Sequence, residues 1–408
     1  MTRSIRPNWP EILDCTERGP RPTLTNAVRV LQHDPLWGPD RVWYDEFLDR
    51  IMVANSPTHE WRDEDDYRLT VYMQETTGMS TVADHLVSKA VRLVAKQRPR
   101  HLVRDRWAML EWDREPRIDL ALEDHWGVVP DASMPCDYVR AASANFLIGI
   151  VARVFQPGCQ LDTMIVFEGE QGLRKTSALR LLVGESCYML AHESVTKKDF
   201  FETMRGKVLI EIGEMDAFSR AEVSRVKTVI STPTDRYRPS YGHAAIDYPR
   251  QCVFAGTTNR DDWGNDETGL RRFWPIKVGA INLETLNDAR DQLFAEAIVR
   301  FRSGERWWSM PASTLSVQAD RQNDSAWTDM VLTGLIGQTE TTIAEVLMRI
   351  LKHDASEITR TSELVVGRIL RLAGWQKANL RRSGRQGKTW VAPETKVAQG
   401  SDRNFLLD

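Results

Sequence analysis

Eight consecutive residues, Gly169, Glu170, Gln171, Gly172, Leu173, Arg174, Lys175 and Thr176, have the make-up of a phosphate-binding loop. Glycines let backbone N–H groups close around an anion, a lysine neutralises β- and γ-phosphates, and a threonine hydroxyl is a ligand for Mg2+. An apolar run at 165–167 leads into the loop. A helix-forming run at 176–183, stopped by Gly184, leads out of it. The loop therefore sits where a helix N-terminus presents its positive dipole end. The pattern G-x-x-x-x-G-K-[ST] asks for glycine at 174, where this chain has Arg174. Its guanidinium must either turn away from the phosphates or join them. The alternative is a chance run of these residue types between a strand and a helix.

An ATPase also needs a carboxylate at the tip of a neighbouring strand, to hold Mg2+ through water and to polarise the attacking water. The run Val208, Leu209, Ile210, Glu211, Ile212, Gly213, Glu214 supplies two candidates, Glu211 at the strand end and Glu214 just beyond it, with Asp216 close behind. Such motifs usually carry aspartate at the first position, so Glu211 is a second departure; the bland reading is acids on a solvated loop. A third apolar run, 252–255, leads into Asn259, a candidate to orient water, although asparagine in a turn is commonly a turn former. Beyond it lie Arg271 and Arg272, either structural or an arginine finger that reaches a neighbouring subunit's γ-phosphate.

These groups need a scaffold that brings strand tips together. Short apolar runs bounded by turns alternate with helical stretches between 160 and 305, which predicts buried parallel strands and a three-layer α/β core. With 408 residues, two or three domains are expected. The expected divisions are a loose Pro- and Arg-rich tail over 1–24, a mostly helical region over 25–155, and the P-loop core over 156–305. A linker with a helix over 306–340 and a C-terminal domain over 341–408 follow. Helices are expected at 82–94 and 138–155. Trp107, Trp112 and Asp113 read as packing residues.

Hydrophobic residues make up 42% of the chain and charged residues 27%. No run approaches the roughly 18 apolar residues that cross a membrane, and the first ten residues hold none that reads as a signal peptide. A cytoplasmic location with no membrane partner is the expectation. Cys15, Cys136, Cys159, Cys187 and Cys252 lie far apart and suggest neither a zinc site nor a disulfide framework. The formal charge of −3 hides a basic block: Arg360, Arg368, Arg371, Lys377, Arg381, Arg382, Arg385 and Lys388 face Glu363 alone, which calls for an anionic partner.

In these motifs the chain resembles the virulence-associated protein E family, phage and prophage proteins related to superfamily 3 helicases and phage primase-helicases. The resemblance runs over about 25–310. It is carried by Leu110, Trp112, Asp113 and Arg117; by Pro157, Gly158 and Asp162 leading into 168–176; and by Glu211 and Glu214. Further matches are Lys227 to Ser231, Asp235, Arg236, Arg238, Tyr241 and Gly242, Pro249 and Arg250, Thr257 to Asn259, and Arg271, Arg272, Phe273, Trp274 and Pro275. The resemblance implies an AAA+-like ATPase that acts on DNA in mobile-element replication, as a ring expected to be hexameric, in a bacterial host, with phage or host replication proteins as possible partners. It puts Lys175, Glu211, Glu214, Asn259 and Arg271 or Arg272 in the catalytic machinery, with ATP on 169–176 and Mg2+ at Thr176 and, through water, Glu211.

Two regions compete for DNA. Lys227, Arg236, Arg238 and Tyr241 interleave basic and aromatic residues, as a loop that tracks a phosphate backbone would; the equivalent region of superfamily 3 helicases bears the pore hairpin. Further on, helices at 341–352 and 362–373 and a hairpin at 380–391 read as a winged helix, with Arg368 and Arg371 on the second helix and Arg381, Arg382, Arg385 and Lys388 on the wing. The leading reading is a DNA-dependent ATPase, a helicase or translocase that binds single-stranded or forked DNA. A DNA-binding replication or interference factor with a nucleotide-gated, poorly hydrolysing P-loop is the alternative, and a metabolic P-loop kinase the third.

Overall fold

The computed structural model describes residues 7–393 apart from 39, 55–56, 192–197, 216–219, 239–243, 260–271, 321–326, 355–357, 359 and 383–384. It divides into two compact units, Met1–Gln318 and Ala319–Asp408.

The start of the first unit corrects the expectation of a loose tail. Helix α1 (Trp9–Ile12) and a ribbon of β1 (Cys15–Thr16) and β2 (Gly19–Pro20) pack onto the body. Trp9 and Leu13 are buried in the N-terminal core. The side chain of buried Asn26 fastens this stretch: its Oδ1 accepts from Asp14 N (2.9 Å) and its Nδ2 donates to Asp14 O (2.9 Å) and Arg21 O (2.8 Å). Asn26 belongs to α2 (Leu24–His33), which is capped by Thr23.

The region read as mostly helical also contains a sheet. Strands β3 (Val42–Asp45), β4 (Arg50–Val53), β5 (His59–Glu60) and β6 (Pro99–Arg100) form it in the order β5-β4-β3-β6. Helices α3 (Asp63–Thr77) and α4 (Asp84–Lys96) share its core with α2. Strands of two to four residues are too short to show a period-2 pattern against this helical background. After α5 (Leu102–Ala108) and α6 (Ala121–Trp126) comes α7 (Cys136–Phe155).

Helix α7 is apolar nearly all round and is buried nearly all round, as such a helix must be. By length and composition it is the one helix among the described residues that could cross a membrane, and here it lies inside the core.

The central sheet follows. Strands β7 (Met164–Glu168), β8 (Tyr188–Ala191) and β9 (Leu209–Ile212) come first in the chain. A separate antiparallel hairpin, β10 (Thr234–Tyr237) with β11 (Ile246–Pro249), precedes β12 (Val253–Thr258) and β13 (Phe273–Lys277). The sheet order is β13-β7-β12-β9-β8, and every pairing is parallel. Side chains alternate between two cores. Ile165 and Phe167 join α7, α8 (Lys175–Val183) and α11 (Leu283–Arg302) on one face. Met164 and Val166 join α9 (Lys198–Thr203) and α10 (Arg220–Ser231) on the other. The mixed α/β character and the three layers agree with the sequence pattern.

Trp107 stacks on Phe294 of α11 with centroids 4.2 Å apart, and Asp113 forms a two-point ion pair with Arg117 (2.6 and 2.7 Å). The first is a buried packing contact and the second a surface ion pair.

The segment read as linker and helix does not act as one piece. Trp307, Met310 and Val317 pack on the core of the first unit, whereas Val331 and Leu335 belong to the core of the second. The break falls at 318–319 because apolar anchors flank it on either side. Helix α12 (Thr314–Asp320) is followed by α13 (Thr328–Gly334), β14 (Glu340–Thr341) and α14 (Ile343–Glu345), which runs on into a π-helical turn, Val346–Ile350. Then come α15 (Arg360–Leu372) and the hairpin β15 (Gln376–Arg382) and β16 (Arg385–Val391), with sheet order β14-β16-β15. Trp375 and Trp390 anchor this small core.

The base of the β10–β11 hairpin rests on a buried ion pair. Arg250 Nε donates to Asp235 Oδ2 (2.7 Å) and Nη2 to Oδ1 (2.6 Å), while Nη1 donates to the carbonyl of Val229 at the end of α10. Both side chains are buried, so removing one strands the other in low dielectric. Asp235→Ala is expected to cost about 3 kcal/mol, read as a fall in the urea unfolding midpoint by tryptophan fluorescence. An unchanged midpoint would show that the pair contributes nothing.

Candidate nucleotide site

Strands β7, β9 and β12 end side by side, with Thr258 in register with Glu168 and Gly256 in register with Ile212. Ligands of open parallel sheets bind beyond these carboxyl ends. A cleft of about 420 Å³ opens there, lined by Gln171, Gly172, Leu173, Arg174, Lys175 and Thr176 together with Glu211, Glu214, Thr257 and Asn259.

The loop from Gly169 to Arg174 turns through three left-handed residues: Gly169 (φ 152), Gly172 (φ 93) and Arg174 (φ 64). At Gly172 a Cβ would meet nothing within 4 Å, so the backbone angle and not space calls for glycine there. Arg174 answers the question its identity raised. It keeps the backbone angle that a glycine would supply, caps α8 without a side-chain bond, and leaves its side chain exposed on the cleft. The loop keeps its shape at a backbone cost of about 1 kcal/mol.

The ammonium of Lys175 is buried beneath the loop. It donates to the carbonyls of Gly169 (2.5 Å) and Glu170 (3.0 Å) and to Oδ1 of Asn259 (3.3 Å). Glu211 is buried in the strand end. Its Oε1 accepts from the hydroxyls of Thr176 (2.7 Å) and Thr257 (2.6 Å), and its Oε2 accepts from the Tyr188 hydroxyl (2.5 Å). Burial, helped by the carboxylate beside it, pushes the Tyr188 phenol above its ordinary range, so it acts as a donor. The second acid, Glu214, is exposed on the cleft with φ 53, a costly angle for a non-glycine residue. Lys175, Thr176, Glu211, Glu214 and Asn259 thus meet at one cleft. The donor set suits a Mg2+–nucleotide: a hydroxyl and a carboxylate for a hard cation, and a lysine with a helix N-terminus for phosphates.

Tyr188 and Thr257 were not singled out from the sequence. Thr257 lies in the run before Asn259. Tyr188 opens an edge strand whose four residues, YMLA, follow Gly184 too closely to stand out from the helix end.

Arg272 does not line this cleft. Arg271 lies outside the described residues. Arg272 directly precedes β13, at the amino end of the sheet, and donates from Nη1 to Lys227 O (2.9 Å). Five strand residues at about 3.3 Å each, roughly 16 Å, separate it from the level of the loop. A role for Arg272 on ATP therefore requires another copy's nucleotide.

The DNA candidates divide. Lys227 is corrected: it lies buried on α10 with its ammonium 6.0 Å from the Phe273 ring, because 220–231 is a helix and not a loop, and its helical position faces the sheet. Arg236 is exposed on β10 and pairs with exposed Asp247 (3.7 Å); Arg238 is exposed at the hairpin's end. Tyr241 lies outside the described residues. In the second unit Arg371 is exposed on α15, while Arg368 falls on α15 and Arg381, Arg382, Arg385 and Lys388 on β15 and β16, with side chains outside the described set. The expected order of helices and hairpin is present.

A family model for the virulence-associated protein E-like domain matches residues 108–326. No curated protein matches the chain. Among solved structures, the apo structure of the NrS-1 C terminal region (305-718) aligns over 86% of this chain and 96% of that chain, at 13% identity and a TM-score of 0.46. The A form apo structure of the same region aligns over 91% and 100%, at 13% identity and a TM-score of 0.43.

If Arg174 adopts its angle at a cost, Arg174→Gly should stabilise the chain by about 1 kcal/mol, seen as a higher thermal midpoint. A lower midpoint would mean that the guanidinium itself supports the loop.

Proposed function

The chain belongs to the virulence-associated protein E-like family, and on that footing we propose that it is a DNA-stimulated ATPase of the AAA+ kind, working as a helicase or translocase in phage or prophage replication in the bacterial cytoplasm. The observation that carries this reading is the convergence on one cleft of two hydrogen-bonded pairs, Lys175 with Asn259 and Thr176 with Glu211.

In this reading backbone N–H groups of the loop and of α8 cradle the phosphates, and Lys175 neutralises the β- and γ-phosphates. Bound Mg2+ would supply charge neutralisation on the transferring phosphoryl group. Thr176 would be its direct ligand and Glu211 would hold it through water. Glu214, exposed on the cleft, would take the proton of the attacking water, and Asn259 would orient that water. DNA would contact Arg236 and Arg238 on the β10–β11 hairpin and the basic positions on α15 and the β15–β16 hairpin, read as a winged helix. Homo-oligomerisation, with a ring of six as the leading form, would bring Arg272 or Arg271 to a neighbour's γ-phosphate; phage or host replication proteins are candidate partners.

A second reading rests on Arg174, exposed on the cleft where a charge could clamp nucleotide in place. It is a nucleotide-gated DNA-binding factor with slow turnover, favoured by tight ATP binding without DNA-stimulated hydrolysis.

Single-stranded DNA should stimulate ATP hydrolysis by the wild type, and Lys175→Ala should lower turnover by roughly 100-fold or more. Equal turnover in the two would sink the site assignment. For the arginine, Arg272→Ala alone should lose about 1,000-fold. Mixing it with Lys175→Ala should restore part of the activity, because some pairings join an intact cleft to an intact arginine. Mixtures no more active than either variant would count against action between copies.

A further inference from the structure

Glu211 stands where sites of this kind usually carry aspartate. Its extra methylene carries the carboxylate further from the strand and adds a rotatable bond, so the carboxylate has more positions open to it unless something fixes it. Each oxygen is fixed separately. Oε1 takes the hydroxyls of Thr176 and Thr257, from the loop helix α8 and from β12. Oε2 takes the hydroxyl of Tyr188, from the edge strand β8 that pairs with β9 in parallel register. Tyr188 is itself buried, and its ring packs against the Arg180 guanidinium (5.2 Å). Arg180 lies on α8, the helix that opens with Lys175 and Thr176. One helix thus supplies the hydroxyl on one side of the carboxylate and packs the phenol that holds the other side.

Resting on the reading of this cleft as a Mg2+–nucleotide site, we propose that Tyr188 is a positioning residue that holds the longer Glu211 carboxylate toward Thr176, and so sets the Mg2+-dependent part of nucleotide affinity. Without the phenol, Oε2 loses its partner in a buried position, and only the two hydroxyls on Oε1 are left to hold the carboxylate. The loss falls on metal-dependent binding. The contacts of the loop and Lys175 with the phosphates do not involve Tyr188.

The test uses full-length chains titrated with a fluorescent, non-hydrolysable ATP analogue, with and without Mg2+. In the wild type Mg2+ should tighten binding. Tyr188→Phe should reduce that gain by roughly 10-fold and leave the Mg2+-free affinity unchanged. Glu211→Asp draws the carboxylate back from the phenol, so adding Tyr188→Phe in that background should cause little further loss, a coupling that a double-mutant cycle reads directly. A full Mg2+ gain in Tyr188→Phe, equal losses in both backgrounds, or a fall in Mg2+-free affinity as well would each overturn the proposal. A wild type without any Mg2+ gain would overturn the underlying site reading and this inference with it. Mg2+-free binding that Lys175→Ala abolishes separates that case from a failure of nucleotide binding itself.

Discussion

A carboxylate out of contact with water must have hydrogen bonds in place of its hydration, and Glu211 meets this requirement on β9, next to the central strand at the sheet's carboxyl edge. Its three partners come from α8, β12 and β8, so one side chain ties the phosphate loop to the strands on either side of β9. The order β13-β7-β12-β9-β8 makes this possible. It places β12 between the loop strand and the strand of Glu211, so that Thr257 and Asn259 fall between the two halves of the site. A sheet with β9 directly beside β7 would leave no room for Asn259 to reach Lys175.

Much of this was legible in the chain, for a physical reason. A strand buried on both faces is largely apolar, and β7, β9 and β12 each carry a short apolar run broken only by Glu168, Glu211 and the Gly256–Thr258 end, so each reads as a short run bounded by turns. The loop was legible because phosphate chemistry restricts residue types at fixed spacing. The failures have causes of the same kind. Lys227 sits among Val226, Val229 and Ile230, whose helical spacing was the stronger signal than the neighbouring basic residues. In the tail from residue 7 onward, Pro and Arg content outweighs two anchors, Trp9 and Leu13, whose burial depends on partners far along the chain. The short sheet β5-β4-β3-β6 could not be seen because its strands carry too few residues for any period.

Two non-glycine residues, Arg174 and Glu214, hold left-handed backbone angles on the rim of the same cleft. Such angles persist where the surrounding structure imposes them, and they concentrate at sites where a side chain must be aimed. Here both carry charge, of opposite sign, on the cleft between the loop and the end of β9. The sequence shows the residue types but not the angles, and the angles set where each charge lies.

Helix α7 has a consequence for how the chain is made. It is complete at residue 155, but the strands that cover it begin at 164 and its partner α11 ends at 302. At synthesis rates of about 5–20 residues per second, roughly 7–30 s pass before its last covering element leaves the ribosome. Until then this twenty-residue apolar helix has only part of its packing, from α5 and α6 before it and the first strands after it. Apolar surface exposed in this way makes a partly made chain prone to association, so the yield of folded protein should depend on chaperone supply as well as on the stability of the finished fold.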